Sequence, residues 1–421
     1  MILEPTVAPR VSRPTHVEID LDQLTSNYRA VERAVTPARM SPVVKADAYG
    51  HGLVEVARLF ESCRPAGLAV AFLEEGARLR EAGIVCPILV MGGLDISQIP
   101  DFLHFGLTMT VSSVQAVGAI EEGAERMGTV ARVHAKVDTG MGRMGVRPEG
   151  AAELLDALRS SPRVEVEGVY SHFATADEAD PAQTLNQMAT FRRVVSYFGD
   201  RDLPTPTLHL ANSGAVLQHP SSHLDLVRPG LMLYGVYPTD AIPRTIEIEP
   251  ALTWRSTVVL SKPLPTGSPV SYGATWTPDR DTRIVVVPMG YGDGYPRLLS
   301  NRGEVLIRGR RHPVVGRVCM DQFMVDVGPE TDVRVGDEVV IIGTQDDEKI
   351  TANELSGWAE TIPYEILTGI SSRVPRRYRG GGRFVPAAET VGLFRTASGI
   401  DYERWRADLD AMAGQDPTPL A

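Results

Sequence analysis

The chain has 421 residues, of which 43% are hydrophobic and 23% charged, with a formal net charge of −11. That is ordinary globular composition, sufficient for two domains, and without a basic block it argues against nucleic-acid binding, which needs clustered Lys and Arg. No stretch is apolar enough to span a membrane, residues 1–14 hold no signal-like apolar core, and Cys63, Cys86 and Cys319 show no disulfide or metal spacing; a cytoplasmic protein with no metal site is expected.

In chain order, residues 1–14 form a Pro-rich N-terminal extension. Val17–Asp20 reads as a short strand and Leu21–Thr36 as a helix. Apolar strand candidates then recur near 41–45, 67–71, 87–91, 107–111, 131–138, 164–172, 207–211 and 224–228. Helical patterns fill most gaps, as in FLEEGARLREA at 72–82 and TLNQMATFRRVVSY at 184–197. Eight strands alternating with helices predict an α/β fold, a (β/α)8 barrel of the TIM type over 15–243; an open doubly wound sheet is the alternative. After about residue 240 the pattern changes to short strands between Pro and Gly turns. A mostly β C-terminal domain is expected over 244–385, followed by a tail at 386–421 with one helical stretch, Tyr402–Met412.

In a barrel of this kind the catalytic face lies at the strand C-termini. Lys45 ends the first candidate strand, Lys136 and Asp138 the fifth, with Arg143 just beyond. His172 ends the sixth, His209, Asn212 and Ser213 the seventh, and Arg228 the eighth, before Pro229 and Gly230. Taken singly, each has a plain structural explanation: a snorkelling lysine, a satisfied core histidine, an ion-pairing arginine, a helix N-cap at Asn212. Together they form a polar ring at one pole. A desolvated lysine can become a neutral amine that forms a Schiff base. Ser213 and Gly214 open a helix whose free N–H groups would face an anion, and Gly230 and Leu231 allow close backbone approach. A Schiff-base lysine beside a phosphate cradle points to pyridoxal phosphate.

A competing motif is Gly140–Gly145, which matches GxGxxG after a strand, with Glu165 near a ribose-binding spacing. Arg147-Pro148 separates these glycines from the next helix, which argues against a dinucleotide fingerprint. In the β region, loops at Ser271-Tyr272-Gly273, 290–294, 319–322 and Pro363-Tyr364-Glu365 carry chemistry-capable residues that pattern alone does not rank.

At this point the chain resembles the alanine racemase family. The resemblance rests on VVKADAYGHG at 43–52, KVDTGMGRMG at 136–145, SHFATADE at 171–178, HLANS at 209–213, VRPGLMLYG at 227–235, VSYGATW at 270–276, GYGDG at 290–294, VCMDQFMVDV at 318–327 and TIPYE at 361–365. It covers about residues 14–380 and implies a pyridoxal-phosphate isomerase built as a barrel plus a β domain. It implies that Lys45 holds the cofactor and is one base. Tyr272 would be the opposite base, supplied across a homodimer. Tyr49, Ser213, Gly230, Leu231 and Tyr364 would bind phosphate, with His172 and Asn212 also beside the cofactor. Arg228 would contact the pyridine nitrogen. Arg143 and Met320 would receive the substrate carboxylate, Met320 in the partner's site. Lys136 stands where the family often carries a carbamylated lysine. The implied role is D-alanine supply for peptidoglycan.

The chemistry agrees. Racemisation removes a proton on one face of Cα and returns one on the other, which two fixed bases achieve without moving a group across the ring. A tyrosine must have its pKa lowered to serve, and His172 and Arg228 are candidate relay partners. Arg228 donates but does not accept a proton, so the ring stays a weak electron sink. Rival readings are a racemase of broader specificity, for example for serine, a related pyridoxal-phosphate decarboxylase, which would want an acid where Arg228 stands, and a non-catalytic pyridoxal-phosphate carrier, which would lack Tyr272.

Overall fold

A computed structural model describes residues 13–381; the stretch Tyr402–Met412 lies outside them. The first strand, β1 (His16–Asp20), leads into a helix at Leu21–Val35. Asp20 caps that helix by accepting the Gln23 N–H at 2.9 Å, and Leu24, Tyr28 and Val31 give it one buried face.

Eight parallel strands follow: β2 (Arg39–Met40), β3 (Leu68–Val70), β4 (Ile88–Val90), β5 (Met109–Val111), β6 (Ala131–Lys136), β7 (Val164–Tyr170), β8 (Thr207–His209) and β9 (Leu226–Val227). Parallel pairing joins β3 to β4, and β5 through β8 in sequence. Single bridges, Val43 to Ala69 and Leu89 to Thr108, close two of the gaps. The Arg228 N–H donates to Ala211 O beside β8, and β2 pairs with β9. The sheet therefore returns on itself as the expected barrel, and the open-sheet alternative falls. The strands are short, and β3 to β5 are buried throughout, as a helix-wrapped parallel sheet requires.

The C-terminal domain contains β10 (Leu252–Thr257), β11 (Leu260–Leu264), β12 (Thr282–Val287), β13 (Glu304–Ile307), β14 (Arg310–Val315), β15 (Phe323–Asp326), β16 (Glu338–Gln345), β17 (Glu348–Ile350) and β18 (Arg376–Arg379). Their sheet runs β11-β12-β15-β14-β13-β16-β10-β1-β18, with β17 on β16. Here the chain departs from a simple two-part division. The strand at 16–20, grouped with the barrel in the sequence reading, pairs with β10 and β18. The β domain is thus laced at both ends of the chain, which clamps it over the barrel. One continuous apolar core runs from Val17 through the barrel to Val374.

Candidate active site

Lys45 does not end a strand and enter an ordinary loop. Strand pairing stops at Val44, and Lys45 opens a left-handed turn. Ala46, Asp47, Ala48 and Tyr49 have φ of 54°, 56°, 53° and 51°, and Gly50 follows at 79°. Four consecutive non-glycine residues in this region cost about 1–2 kcal/mol each, so the surroundings must impose the turn. They do so from both domains. Glu75 accepts the Ala46 N–H at 2.6 Å and the Ala71 N–H at 2.8 Å. Asp47 accepts the Leu53 N–H at 2.9 Å. Arg376 donates to Gly50 O at 3.1 Å, and a Cβ on Gly50 would lie 2.1 Å from Leu367 O. The turn holds the Tyr49 ring 4.9 Å from Tyr234 and 6.1 Å from Tyr364. Burial, then the nearby Arg143 charge, lowers the pKa of Lys45, with Glu75 opposing.

Around this lysine the expected residues converge. Lys136 is buried, its ammonium 4.4 Å from the Tyr170 ring centroid. Burial, Arg228 and Arg143 pull its pKa down to about 7. Arg228 lies against the same ring at 5.0 Å, and His209 stacks on it at 4.7 Å. One aromatic ring thus serves two cations. Burial, followed by the Arg228 and Lys136 charges, drives His172 well below the usual imidazole range.

The Arg228 guanidinium is almost saturated. Its Nη1 meets His209 Nδ1 at 2.7 Å. Its Nη2 donates to Ser171 O at 2.8 Å and Leu210 O at 3.0 Å, and faces His172 Nδ1 at 3.4 Å. Among the described residues Nε alone has no partner, and it is buried. Arginine only donates, so both imidazole Nδ1 atoms accept and His172 carries its proton on Nε2.

The anion quarter also assembles. Asn212 is a helix N-cap, accepting the Ala215 N–H at 3.0 Å and opening the helix Ser213–Gln218. Ser213 Oγ accepts the Gly230 N–H at 2.9 Å, which leaves its own hydroxyl proton free to donate. A Cβ on Gly230 would sit 2.3 Å from the Tyr49 hydroxyl, so any larger residue there would displace the Tyr49 ring. Leu231 begins a short 3-10 turn behind it.

The GxGxxG loop is not a dinucleotide cradle. Asp138 Oδ1 accepts the N–H groups of Gly140, Met141 and Gly142 at 3.0, 2.9 and 3.0 Å. Burial opposes ionisation of Asp138, but these amides and Arg147 outweigh it and hold the carboxyl low. The loop instead carries Arg143 toward the Lys45 pole, where its charge acts on Lys45, Lys136 and His172.

Two expected residues stay apart. Tyr272 and Met320 are 72% and 52% exposed, and among the described residues no hydrogen bond, ion pair or ring contact joins them to the Lys45 cluster. The sequence reading missed Glu75, whose role comes from a turn that ADAYG does not advertise. It also passed over His134, although alternation along β6 places it on the face of Lys136.

The family model for the alanine racemase N-terminal domain matches residues 19–238, and the C-terminal domain model matches 251–378. The chain belongs to the alanine racemase family. It is an enzyme of the isomerase class. Alanine racemase of Halothermothrix orenii is 44% identical over 371 residues, covering 88% of this chain and 98% of that one. The Cutibacterium acnes alanine racemase is 45% identical over 374 residues, covering 88% and 100%. Among solved structures, alanine racemase of Clostridium difficile superposes with a TM-score of 0.84 at 37% identity, over 88% of this chain and 97% of that one. A histidine racemase from Leuconostoc mesenteroides gives 0.80 at 28% identity, over 89% and 99%. Barrel, β domain and their order all agree with the family.

Proposed function

We propose that this protein interconverts L- and D-alanine in the cytoplasm as a pyridoxal-phosphate enzyme, supplying D-alanine for peptidoglycan, and that it works as a homodimer. The observation that carries the cofactor reading is Arg228: a buried guanidinium with every nitrogen engaged except Nε, at the same pole as a lysine of lowered pKa. That orphan donor fits a pyridine nitrogen, and the bare Gly230 beside Tyr49 fits a phosphate. Bound pyridoxal phosphate supplies an electron-withdrawing ring that acidifies the Cα–H of an amino acid joined to it.

The chain's own residues do the rest. Lys45 anchors the cofactor, and its Nζ moves the proton on one face. Tyr49, Ser213, Gly230, Leu231 and Tyr364 hold the phosphate, with Asn212 fixing the helix behind them. Arg228 holds the ring nitrogen while keeping its own proton. Arg143, with Met320 of the partner subunit, receives the substrate carboxylate. Tyr272 of the partner subunit moves the proton on the opposite face. A neutral His172 carrying its proton on Nε2 can donate to a phenolate, which favours the ionised tyrosine. The lowered pKa of Lys136 leaves much of it as a free amine near neutral pH, the form that takes up carbon dioxide. Carbamylation there would place a negative charge beside the buried cations and steady Arg143. An arginine, not an acid, stands at 228, which speaks against the decarboxylase reading.

The test is racemisation of L- and D-alanine by the purified, cofactor-loaded protein, with serine and histidine as competing substrates. Borohydride reduction and peptide mapping should place the cofactor on Lys45. Cofactor bound without turnover of alanine would overturn the substrate; label on another lysine would overturn the site.

A further inference from the structure

Arg228 is buried and pairs with no carboxylate among the described residues. A buried cation without a counter-charge is expensive, so its surroundings need explaining. The hydrogen bonds lead away from the cofactor pole. His209 Nδ1 must accept from Arg228, so the His209 proton is on Nε2. That Nε2 lies 2.8 Å from His134 Nδ1, which must therefore accept, leaving the His134 proton on its own Nε2. His134 Nε2 faces the Glu167 carboxylate at 3.9 Å.

The fold is locally shaped for this. Val133 pairs with Val166 and His134 with Gly168, so Glu167 is the extra residue of a β-bulge, a device that re-aims a side chain. A Cβ on Gly168 would lie 2.7 Å from the His134 ring, so glycine makes the space. The Thr108 hydroxyl donates to Glu167 at 3.0 Å, and Arg132 lies 3.9 Å away. Glu167 and His134 line a cavity of about 400 Å³ at the end of the barrel where the strands begin, with Arg39, Thr207 and Asp225. Burial and the Arg228 charge keep His134 neutral, its pKa pulled to about 4, and His209 is depressed by burial and Arg228 as well.

We infer that His209, His134 and Glu167 are positioning residues, forming a relay through the barrel interior that locks both imidazoles in one tautomer and links the Arg228 charge to a carboxylate at the opposite pole. The two imidazole dipoles turn their acceptor ends to the guanidinium. They hold it in place, so that Nε alone is left for a ligand. The charge of Glu167, outside any contact with substrate, then bears on the residue that meets the cofactor ring. This last link rests on the proposed cofactor reading; the tautomer assignment does not.

Two measurements test it. Neutron diffraction from deuterium-exchanged crystals of the unmodified holoenzyme should show deuterium on Nε2 and a bare Nδ1 at both His209 and His134. Deuterium on either Nδ1 overturns the relay whatever the cofactor does. Glu167→Gln keeps an oxygen for Thr108 but removes the charge. With full cofactor occupancy, it should lower kcat roughly threefold to tenfold with KM held within about twofold, and shift the absorption of the bound cofactor. Glu167→Asp should recover part of the loss. Unchanged kcat and spectrum in Glu167→Gln would sink the charge link. Because Gln is close to Glu in shape, the test does not depend on a variant that fails to fold.

Discussion

The two halves of the candidate site are built in opposite ways. At the barrel pole, Lys45, Lys136, His172 and Arg228 are packed and desolvated, and burial lowers the pKa of all four, with neighbouring positive charges adding to it at Lys45, Lys136 and His172. At the edge of the β domain, Tyr272 stands exposed on a turn where Ser271, Gly273 and Ala274 have φ of 66°, 75° and 47°. Ser271 Oγ donates to Arg317 O at 2.6 Å, which pins the turn while the ring points away from the packed interior. Met320 is also exposed, with Gly290 and Gly292 close against its backbone carbonyl. The contrast is between a half preorganised within the chain and a half left exposed, which under the proposed homodimer would serve the partner's site.

The sharpest way to break this comparison is complementation. Lys45→Ala should lose alanine racemisation by about 10³-fold or more, and Tyr272→Phe by about 10²- to 10⁴-fold while retaining cofactor. Mixed and allowed to exchange subunits, the two inactive proteins should regain activity. A hybrid dimer has one site lacking both groups and one intact, so an equal mixture should approach about one quarter of the unmodified rate. If mixing restores nothing although hybrids form, Tyr272 does not act across an interface.

The same contrast explains what was legible in the sequence. The barrel was readable because its strands are short apolar runs at regular spacing, and the polar pole was readable because Lys45, Lys136, His172 and Arg228 follow those runs. The position of β1 was not, because Val17–Asp20 alternates like any half-buried strand and its partners, β10 and β18, lie more than two hundred residues away. The left-handed turn at 46–49 was invisible for a different reason. Alanine and tyrosine favour other backbone regions, and the conformation comes from Glu75, Asp47 and the β domain closing over it. The exposure of Tyr272 was not legible either, because pattern alone places it only in a loop of the β region, and the family resemblance implied a role for it without a placement.

Smaller perturbations sharpen the picture of the packed half. Folded Lys136 holds its proton only below about pH 7, whereas an unfolded lysine keeps it to about 10.4. Between those values the unfolded chain binds the extra proton, so stability rises with pH across the window and the penalty is full below it. In carbonate-free buffer Lys136→Met should therefore be more stable than the unmodified protein at pH 6, by an amount on the order of a few kcal/mol, with the gap closing as pH climbs toward 10. Denaturant unfolding at both pH values measures it; a gap independent of pH would mean that Lys136 is not strained by its charge. Gly230→Ala should be milder. Its Cβ meets the Tyr49 hydroxyl, and relief of that overlap should cost about 1–3 kcal/mol, seen as weaker cofactor affinity with the fold intact.

The gentlest change acts where the two domains meet. Glu75 spans the left-handed turn and the end of β3 with one carboxylate, and its charge is what opposes the lowering of the Lys45 pKa. Glu75→Gln retains one acceptor oxygen and removes the charge. Losing one backbone bond should cost about 1 kcal/mol. More telling is the direction in Lys45: without the nearby anion, burial and Arg143 act unopposed, and the amine becomes neutral at a lower pH. Titrating the cofactor-free protein with an amine-directed reagent should move the Lys45 midpoint down in Glu75→Gln. A midpoint that stays put would make Glu75 a backbone clamp alone; one that rises would mean that the turn has opened to water, and that the strained backbone rather than its charges sets the reactivity of the lysine.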